Sequence, residues 1–533
     1  MRFTTPSLVS LSLLQSALAF TPCPLLGPGF PAFSLDTNST TISSALKELT
    51  GSLDKLYTKG NGSHGEVTPN TTSFSLSLFS TNKGSAADRP VFYDYHYTAP
   101  SAKSAVDKDS VYRVGGLTQI FTVWSLLIEV GDGIFNDPVT KYLPELANVH
   151  GKDALKYVNW EDVTVGQLAS HMGGLARGYC IAESNSPSTA GCLPKNATKA
   201  ETLAHIAHQT PVAPPGVTPI YSDAGYELLS FILERITGKS YESILKKDIL
   251  SPLSLSESTL DTSIKESPSL GLYSSITDLS KAGKAILNST LLPNPQTNRW
   301  LKPVTHTSNP ANSLGYPWII YTTGHYPNTS MVDIYTYYSF VDKYSSYIGL
   351  VPDFDVGFAI LAEDTDAAAD LNAHADIIGD VILTALIGTA TKQAGANFRG
   401  DYVGGSNGTS ISVDVDDLPG IFIEEFIVNG TDFRKTLAKL NGIQDPEALS
   451  IRLYPTGLVA PAGDKQRVSF RAIFQDKNEL ADAGTPTCVS WLDVDKLKAR
   501  GVAMDEFVFV VDGQTAVGVE IPALKVSLER ELP

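Results

Sequence analysis

Hydrophobic and polar positions near the start of the chain predict one helix and two strands. Residues 43–60 (SSALKELTGSLDKLYTKG) carry apolar side chains at helical spacing, which predicts a helix. Residues 72–80 (TSFSLSLFS) and 90–98 (PVFYDYHYT) alternate apolar with polar side chains, which predicts strands. Residues 20–35 are rich in proline and glycine, so we expect them to be extended without regular structure.

The middle of the chain is mainly helical in pattern and then returns to strands. Helical periodicity dominates from residue 111 to about residue 330. Short apolar runs follow at 344–352 (YSSYIGLVP) and 355–364 (DVGFAILAED), and both predict strands. Residues 370–390 then predict a helix that closes this part of the chain.

After residue 397 the pattern changes again. Short alternating runs separated by Gly, Pro, Asn and Asp predict an antiparallel β domain. Residues 391–400 (TKQAGANFRG) form the predicted linker. We therefore expect an N-terminal extension with the first helix and strands over 20–89, a main domain over 90–396 and a small all-β domain over 397–533.

The first 19 residues have the organisation of a secretory signal peptide. Arg2 gives a positive start, Leu8 to Leu14 an apolar stretch, and Ala17 to Ala19 a small-residue cleavage site. The apolar stretch is too short to cross a bilayer, which takes about 20 residues. We therefore predict a signal peptide over residues 1–19, a secreted protein and no stable membrane anchor.

Cysteines and potential glycosylation sites agree with secretion. The four cysteines suggest two disulfides in an oxidising compartment. Cys180 and Cys192 bracket a polar loop and are paired first, and Cys23 with Cys488 then follows by elimination. The N-x-Ser/Thr pattern predicts surface glycans at Asn38, Asn61, Asn70, Asn196, Asn288, Asn328, Asn407 and Asn429.

The composition is that of an ordinary globular protein with an acidic surface. The chain has 533 residues, of which 42% are hydrophobic and 18% charged, and its net charge is −17. This charge argues against nucleic acid and anionic membranes as partners. The sequence has no C-x-x-C or H-E-x-x-H motif and its histidines are dispersed, so we expect no metal and no cofactor. The oligomeric state is left open.

Six sequence blocks stand in order between about residues 90 and 390: VYRVGGLTQIFTVWSLL, GIFNDPVTKYLPEL, WEDVTVGQLASHMGGL, PPGVTPIYSDAGYELLSFILERITGKSYESIL, GLYSSITDLSKAGKAIL and YSSYIGLVPDFDVGFAIL. Together they resemble the serine β-lactamase and penicillin-binding-protein family, especially secreted fungal class C-like members. The resemblance implies an α/β (α+β) domain, with a central antiparallel sheet, a helical region and an active cleft between them. It also implies a C-terminal β domain of the kind that many such proteins carry.

The chemistry of this family is covalent acyl transfer through a serine at the start of a helix. A lysine three residues later lies on the same helix face and assists deprotonation of the serine. The resemblance places Gly116 at the serine position and Gln119 at the lysine position. Glycine carries no nucleophile and glutamine does not titrate, so acyl-serine chemistry is not expected here.

The second and third motifs of the family are also altered. Tyr221 keeps the tyrosine of the second motif, but Asp223 stands where the family usually has asparagine. Tyr337 replaces the cation of the third motif and Ser339 replaces its glycine. We therefore name Tyr221 as the candidate catalytic residue. The cleft residues that the resemblance implies are Gly116, Gln119, Asp223, Tyr337 and Ser339.

Each of these residues also has a structural interpretation. Tyr221, with an ordinary pKa of about 10, needs a cationic neighbour to act as a base at neutral pH, and the family's two cations are missing. Asp223 is either a cleft carboxylate or a solvated cap of the next helix. Tyr337 either suits a flat apolar ligand or is an ordinary strand residue. His171, in SHMGGL, is expected to be a buried turn residue.

Three functions compete. The first is a non-acylating pseudoenzyme that binds a small molecule, as the lost nucleophile and cations suggest. The second is an enzyme of another class, such as a cyclase or rearrangement catalyst of secondary metabolism, which orients a substrate with Tyr221, Asp223 and Tyr337. The third is a conventional serine hydrolase or esterase, which the family favours and Gly116 opposes.

Overall fold

The chain forms two compact units. The first contains residues 33–323 and 332–389, and the second contains the described parts of residues 1–32 and 390–533, with Met331. The domain boundaries that the sequence suggests stay predictions. The computed structural model describes residues 20–82, 84, 89, 91–178, 181–182, 193–194, 197–264, 266–323, 331–404, 408–479 and 488–531.

An antiparallel sheet of eight strands forms the centre of the first unit. In chain order its strands are β1 (Thr72–Ser80), β2 (Tyr93–Tyr97), β3 (Thr305–His306), β4 (Asn312–Leu314), β5 (Ile319–Thr323), β6 (Val332–Val341), β7 (Tyr344–Val351) and β8 (Val356–Asp364). The spatial order is β3-β4-β5-β6-β7-β8-β1-β2, so the last strand in sequence pairs with the first. These strands include the four that the sequence pattern predicts.

Strand β1 is buried on both of its faces, although serine alternates with apolar residues along it. Ser75 Oγ lies 3.0 Å from the hydroxyl of Tyr112, and Ser77 Oγ lies 2.9 Å from Ser280 Oγ. These partners satisfy the hydroxyl groups, which offsets the free-energy cost of burying the serine face. The alternation therefore identifies the strand, but it does not reveal that the polar face is covered.

Helices and short strand groups supply the rest of the first unit, and α2 is buried over most of its length, from Thr118 to Leu127. A helix that is apolar on all sides is expected inside a core. The helices are α1 (Thr40–Lys59), α2 (Thr118–Val130), α3 (Val165–Ala169), α4 (Lys199–Ala207), α5 (Asp223–Thr237), α6 (Tyr241–Leu245), α7 (Ser267–Leu270), α8 (Ile276–Leu287), α9 (Asn294–Trp300), α10 (Asn372–Ile378) and α11 (Thr384–Phe398). Helix α11 continues past residue 389, where this unit ends.

The second unit is a closed antiparallel barrel, as the sequence pattern after residue 397 predicts. Its strands are β9 (Gly400–Gly404), β10 (Thr409–Asp414), β11 (Ile421–Val428), β12 (Thr431–Asp432), β13 (Leu449–Ala462), β14 (Lys465–Asp476), β15 (Glu506–Asp512), β16 (Thr515–Ile521) and β17 (Val526–Arg530). The spatial order is β10-β9-β17-β16-β15-β14-β13-β11-β12, and β10 also pairs with β11, which closes the sheet.

Three segments differ from the sequence-based expectation. Strands β3, β4 and β5 lie between residues 305 and 323, where helical periodicity was expected to dominate. The predicted linker at 391–400 is wrong, because α11 continues as far as Phe398. Between residues 391 and 398 the Ala, Lys and Gln residues are good helix formers, and they outweigh Gly395. A helix α12 (Arg434–Leu440) also interrupts the β domain. Seven residues give too weak a periodic pattern to identify such a helix among strands.

The second unit contains the disulfide between Cys23 and Cys488, with a Cα–Cα distance of 5.3 Å. This is the pair that elimination predicts, while Cys180 and Cys192 lie outside the described residues. Asn196, Asn328 and Asn407 also lie outside them. The remaining sequon asparagines are all exposed, as attachment of a glycan requires: Asn38, Asn61, Asn70, Asn288 and Asn429.

One helical stretch of the described residues, Asn372–Phe398, is long and apolar enough to cross a membrane by length and composition alone. Within the most apolar 18 residues of this stretch, 56% is buried inside the protein. A buried core helix passes the same test, so this stretch gives little support for a membrane anchor.

Candidate functional site

The site begins at the N-terminal end of helix α2. A single 3-10 turn, Gly115–Leu117, leads into the helix, and Gly115 adopts a left-handed φ of 54° that favours glycine. Gly116 lies in this turn, and Gln119 follows three residues later, on the same side of the helix. Both residues are buried, so their neighbours on other elements decide what the site can do.

Strand β6 brings Ser339 directly against Gly116. Tyr337 and Ser339 are two residues apart on β6, so their side chains point to the same face of the sheet. The backbone N–H of Gly116 donates a hydrogen bond of 2.7 Å to Ser339 Oγ. A Cβ atom on Gly116 would lie 3.1 Å from Ser339 Oγ and 3.3 Å from Ser339 Cβ. The side chain of Ser339 therefore crowds a side chain at position 116, and it would have to shift by a few tenths of an ångström to admit a Cβ there.

The amide of Gln119 is the centre of a hydrogen-bond cluster. Its Nε2 donates to Ser269 Oγ at 2.6 Å and to the hydroxyl of Tyr221 at 3.0 Å. Its Oε1 accepts from His171 Nε2 at 3.1 Å and from the hydroxyl of Tyr337. Donors on one side and acceptors on the other fix the orientation of the amide, because its two ends are chemically different.

His171 is held as the tautomer that carries hydrogen on Nε2. The backbone N–H of Ser222 donates to His171 Nδ1 at 3.2 Å, so Nδ1 must accept and Nε2 is free to donate to Gln119 Oε1. Burial of the ring lowers the pKa of His171 to about 3, which keeps the imidazole neutral. His171 also has a left-handed φ of 58°, a conformation unusual for a residue other than glycine.

Asp223 collects the remaining hydrogen bonds of the cluster. Its Oδ1 accepts from Ser269 Oγ at 2.5 Å and from the hydroxyl of Tyr221 at 2.7 Å. Burial raises the pKa of Asp223, although these donors act in the opposite direction. Burial and the nearby Asp223 carboxylate also raise the pKa of Tyr221, although the Arg177 guanidinium lies 4.5 Å from its ring centre. Tyr221 is therefore protonated at neutral pH and acts as a donor.

We call these six residues the Gln119 cluster: Gln119, His171, Tyr221, Asp223, Ser269 and Tyr337. Each except Tyr221 is buried, and the donors and acceptors described above are paired with one another. Tyr337 is only 2% exposed, and its hydroxyl is used inside the protein, so its ring is not available to a ligand. The arrangement suits a rigid polar core better than proton transfer to a substrate.

A family model described as "Beta-lactamase" matches residues 85–382, and these residues include the whole Gln119 cluster. The chain belongs to the beta-lactamase family. A second model, described as "Beta-lactamase-like-like, C-terminal domain", matches residues 390–532, which form the barrel unit. Both matches confirm the resemblance that the ordered sequence blocks predict.

Relatives of this beta-lactamase-family chain carry related names. A protein named "Beta-lactamase-like protein" from Arthroderma benhamiae is 30% identical and covers 93% of this chain and 94% of its own length. "Probable hydrolase M10" from Phoma sp. is 21% identical over 83% of this chain and 79% of its own length. A solved beta-lactamase/D-alanine carboxypeptidase from Yersinia pestis is 17% identical, with a TM-score of 0.49, and covers 63% of this chain and 98% of its own.

Positions 116 and 119 differ from what the chemistry of the beta-lactamase family requires. Position 116 offers an N–H that is already bonded to Ser339, where the family has its nucleophile. Position 119 offers an amide, where the family has a titratable lysine. The structure brings together all six residues that the resemblance implies, including Tyr221, Asp223 and Tyr337. Five of these six residues are buried, and Tyr221 is half-buried.

Sequence reasoning missed three members of the site. His171 is a buried turn residue, as expected, but its bonds to Gln119 and to the Ser222 backbone were not foreseen. Ser269 lies on α7 with no motif around it that marks it. Arg177 supplies a cation beside Tyr221, where the motifs suggested none. The sequence contains one indication that further residues take part in the site. Position 223 carries a carboxylate, and the family's two cations are missing.

The neutrality of His171 gives a pH dependence with a definite sign. The folded protein keeps His171 neutral, whereas the unfolded chain takes up a proton below about pH 6.5, so stability falls as pH falls. Between pH 7 and pH 5 this residue alone is expected to reduce the free energy of unfolding by about 2 kcal/mol. His374, also buried and with its pKa lowered to about 4, adds a similar loss.

Urea titrations at pH 7 and pH 5 check this prediction. His171→Gln should remove the part of the pH dependence that belongs to His171, whereas His150→Gln, at an exposed position, should leave it unchanged. An unchanged pH dependence in His171→Gln would show that His171 is not held neutral in the folded protein.

Proposed function

We propose that this chain is a non-acylating member of the beta-lactamase family, which binds a small molecule and forms no covalent intermediate. The observation that carries the proposal is the 2.7 Å hydrogen bond from Gly116 N–H to Ser339 Oγ. A backbone N–H at a helix start is the kind of donor that stabilises a developing oxyanion, and here it is occupied by the protein's own hydroxyl. Gln119 supports the proposal, because an amide cannot take the proton of a nucleophile.

We also propose that the chain is secreted and glycosylated. The disulfide Cys23–Cys488 supports this proposal, because disulfides persist in oxidising compartments. The exposed sequon asparagines add support, since an oligosaccharide needs a solvent-facing attachment point. The signal peptide over residues 1–19 stays a prediction.

A hydrolase is the second candidate, and the name of the Phoma relative favours it. In that case the nucleophile would be Ser339, whose hydroxyl lies against Gly116 N–H. The neighbourhood does not supply its base, because His171 faces Gln119 and Tyr337, and Tyr221 keeps its proton. An enzyme of another class that uses Tyr221, Asp223 and Tyr337 has less support, because Asp223 and Tyr337 are buried.

Turnover measurements test the proposal. The purified protein is expected to hydrolyse p-nitrophenyl acetate and a chromogenic cephalosporin no faster than buffer, with no initial burst of product. A burst that is stoichiometric with protein would overturn the proposal. Loss of such a burst in Ser339→Ala, with retention in Ser269→Ala, would assign the nucleophile to Ser339.

A further inference from the structure

A pocket of about 470 Å³ lies between helices α4 and α5 in the first unit. Its size falls in the range of pockets that hold drug-sized molecules. None of its lining residues belongs to the Gln119 cluster, so it is a separate feature of the molecule. Besides these two helices, Glu145, Val149 and His208, the residue that follows α4, contribute to its wall.

Small side chains on α4 create the space. Ala200, Leu203, Ala204 and Ala207 line the pocket and recur at helical spacing, so they share one face of the helix. Three of the four are alanines, which leave unfilled volume where larger residues would normally close the gap between two helices. Phe231 of α5 provides an aromatic surface opposite this face, so the interior of the pocket is mainly apolar.

The charged residues at the rim of the pocket form ion pairs with one another. Lys199 Nζ lies 2.6 Å from Glu234 Oε1, and Arg235 holds Glu145 through two nitrogens, at 2.7 and 3.1 Å. Each cation already has a carboxylate partner. An anionic ligand would have to displace Glu234 or Glu145, and a cationic ligand would have to displace Lys199 or Arg235. The electrostatics therefore favour a ligand without net charge.

We propose that this pocket is a binding site for a neutral, mainly apolar small molecule of on the order of 20 non-hydrogen atoms. This inference goes beyond the proposed function, because it names a site outside the Gln119 cluster and a class of ligand. It does not depend on whether the chain acylates. The apolar body of the ligand lies between Ala204 and Phe231, and its edge meets the two ion pairs at the rim.

Binding of the neutral fluorescent dye Nile red to the full-length protein tests the site. We expect saturable binding of one dye per chain. Ala204→Trp, which fills the pocket from an exposed position on α4, is expected to weaken binding at least about tenfold. Ala154→Trp, at an exposed position outside the pocket, is the matched control and should leave binding unchanged. Ala200→Trp is a second pocket-filling variant, to be used if Ala204→Trp folds poorly.

The charge of the ligand is tested separately with the anionic dye 1-anilinonaphthalene-8-sulfonate. The native protein is expected to prefer the neutral dye, and Glu145→Gln, which frees Arg235, should increase affinity for the anionic dye. Equal Nile red binding by the native protein and both pocket-filling variants would overturn the site. Tighter binding of the anionic dye to the native protein, lost in Ala204→Trp, would overturn the neutral ligand class.

Discussion

Adding Ser339→Gly to the Gly116→Ser/Gln119→Lys variant is expected to raise its rate of labelling by a fluorophosphonate by at least about tenfold. The double variant restores the nucleophile and the lysine of the family but keeps Ser339. A Cβ at position 116 would lie 3.1 Å from Ser339 Oγ, which leaves too little room for a freely oriented serine hydroxyl. Removal of the Ser339 side chain opens that space and frees the Gly116 N–H.

Intact-mass measurement over time provides the rates, and peptide mapping should place the label on position 116. Ser339→Gly alone is the matched control, because it opens the same space without a nucleophile and should stay unlabelled. Equal labelling of the double and triple variants would show that Ser339 does not obstruct the centre. Labelling of the control would show that a different residue reacts.

Gln119→Leu is expected to lower the free energy of unfolding of the first unit by about 3–5 kcal/mol. Leucine has a similar size but cannot bond to His171, Tyr337, Ser269 or Tyr221. Each of those groups would lose a partner, and all except Tyr221 are buried. A buried polar group without a partner costs about 1–3 kcal/mol. Some of that cost is recovered, since the freed hydroxyls can still bond to one another or to Asp223.

Urea unfolding followed by tryptophan fluorescence measures this loss. Four of the five tryptophans lie in the first unit, namely Trp124, Trp160, Trp300 and Trp318, so the signal reports mainly on it. Gln296→Leu is the matched control, because Gln296 donates a single hydrogen bond, to Leu127 O at 3.0 Å. It should cost about 1 kcal/mol. Equal losses in the two variants would contradict a central role for the Gln119 amide.

Much of the fold follows from the sequence because its signals are local. Alternation at 72–80 and apolar runs at 344–352 and 355–364 identify strands of the main sheet. The change of pattern after residue 397 identifies the barrel unit. The failures are also local in origin: α12 is too short to show a period, and Ala-rich residues near 391 extend α11 where a linker was expected.

The site follows from the sequence only in part, because its contacts join residues that are far apart in the chain. Gly116 and Gln119 are identified by their place in an ordered set of family blocks. The bonds from Gln119 to Ser269 and Tyr337 span 150 and 218 residues, and no local pattern encodes them. His171 looks like an ordinary turn residue until the structure shows which nitrogen faces which partner.

The residues at positions 116 and 119 match the hydrogen-bond partners that surround them. A lysine at position 119 would face the Asp223 carboxylate and the Tyr221 hydroxyl, whereas glutamine satisfies a donor side and an acceptor side at once. Ser339 similarly accepts the hydrogen bond of the Gly116 N–H and would crowd a side chain at that position. These contacts at positions 116 and 119 are consistent with the proposed absence of acylation.

Intact-mass analysis of the native protein shows whether any of its serines acylates. The protein is incubated with a fluorophosphonate and, separately, with penicillin, and its mass is then measured without digestion. We expect an unchanged mass in both cases, because position 116 carries no nucleophile and, among the described residues, neither His171 nor Tyr221 is placed to deprotonate Ser339. A stable adduct of one probe per chain, mapped to Ser339 or any other serine, would show that the protein acylates.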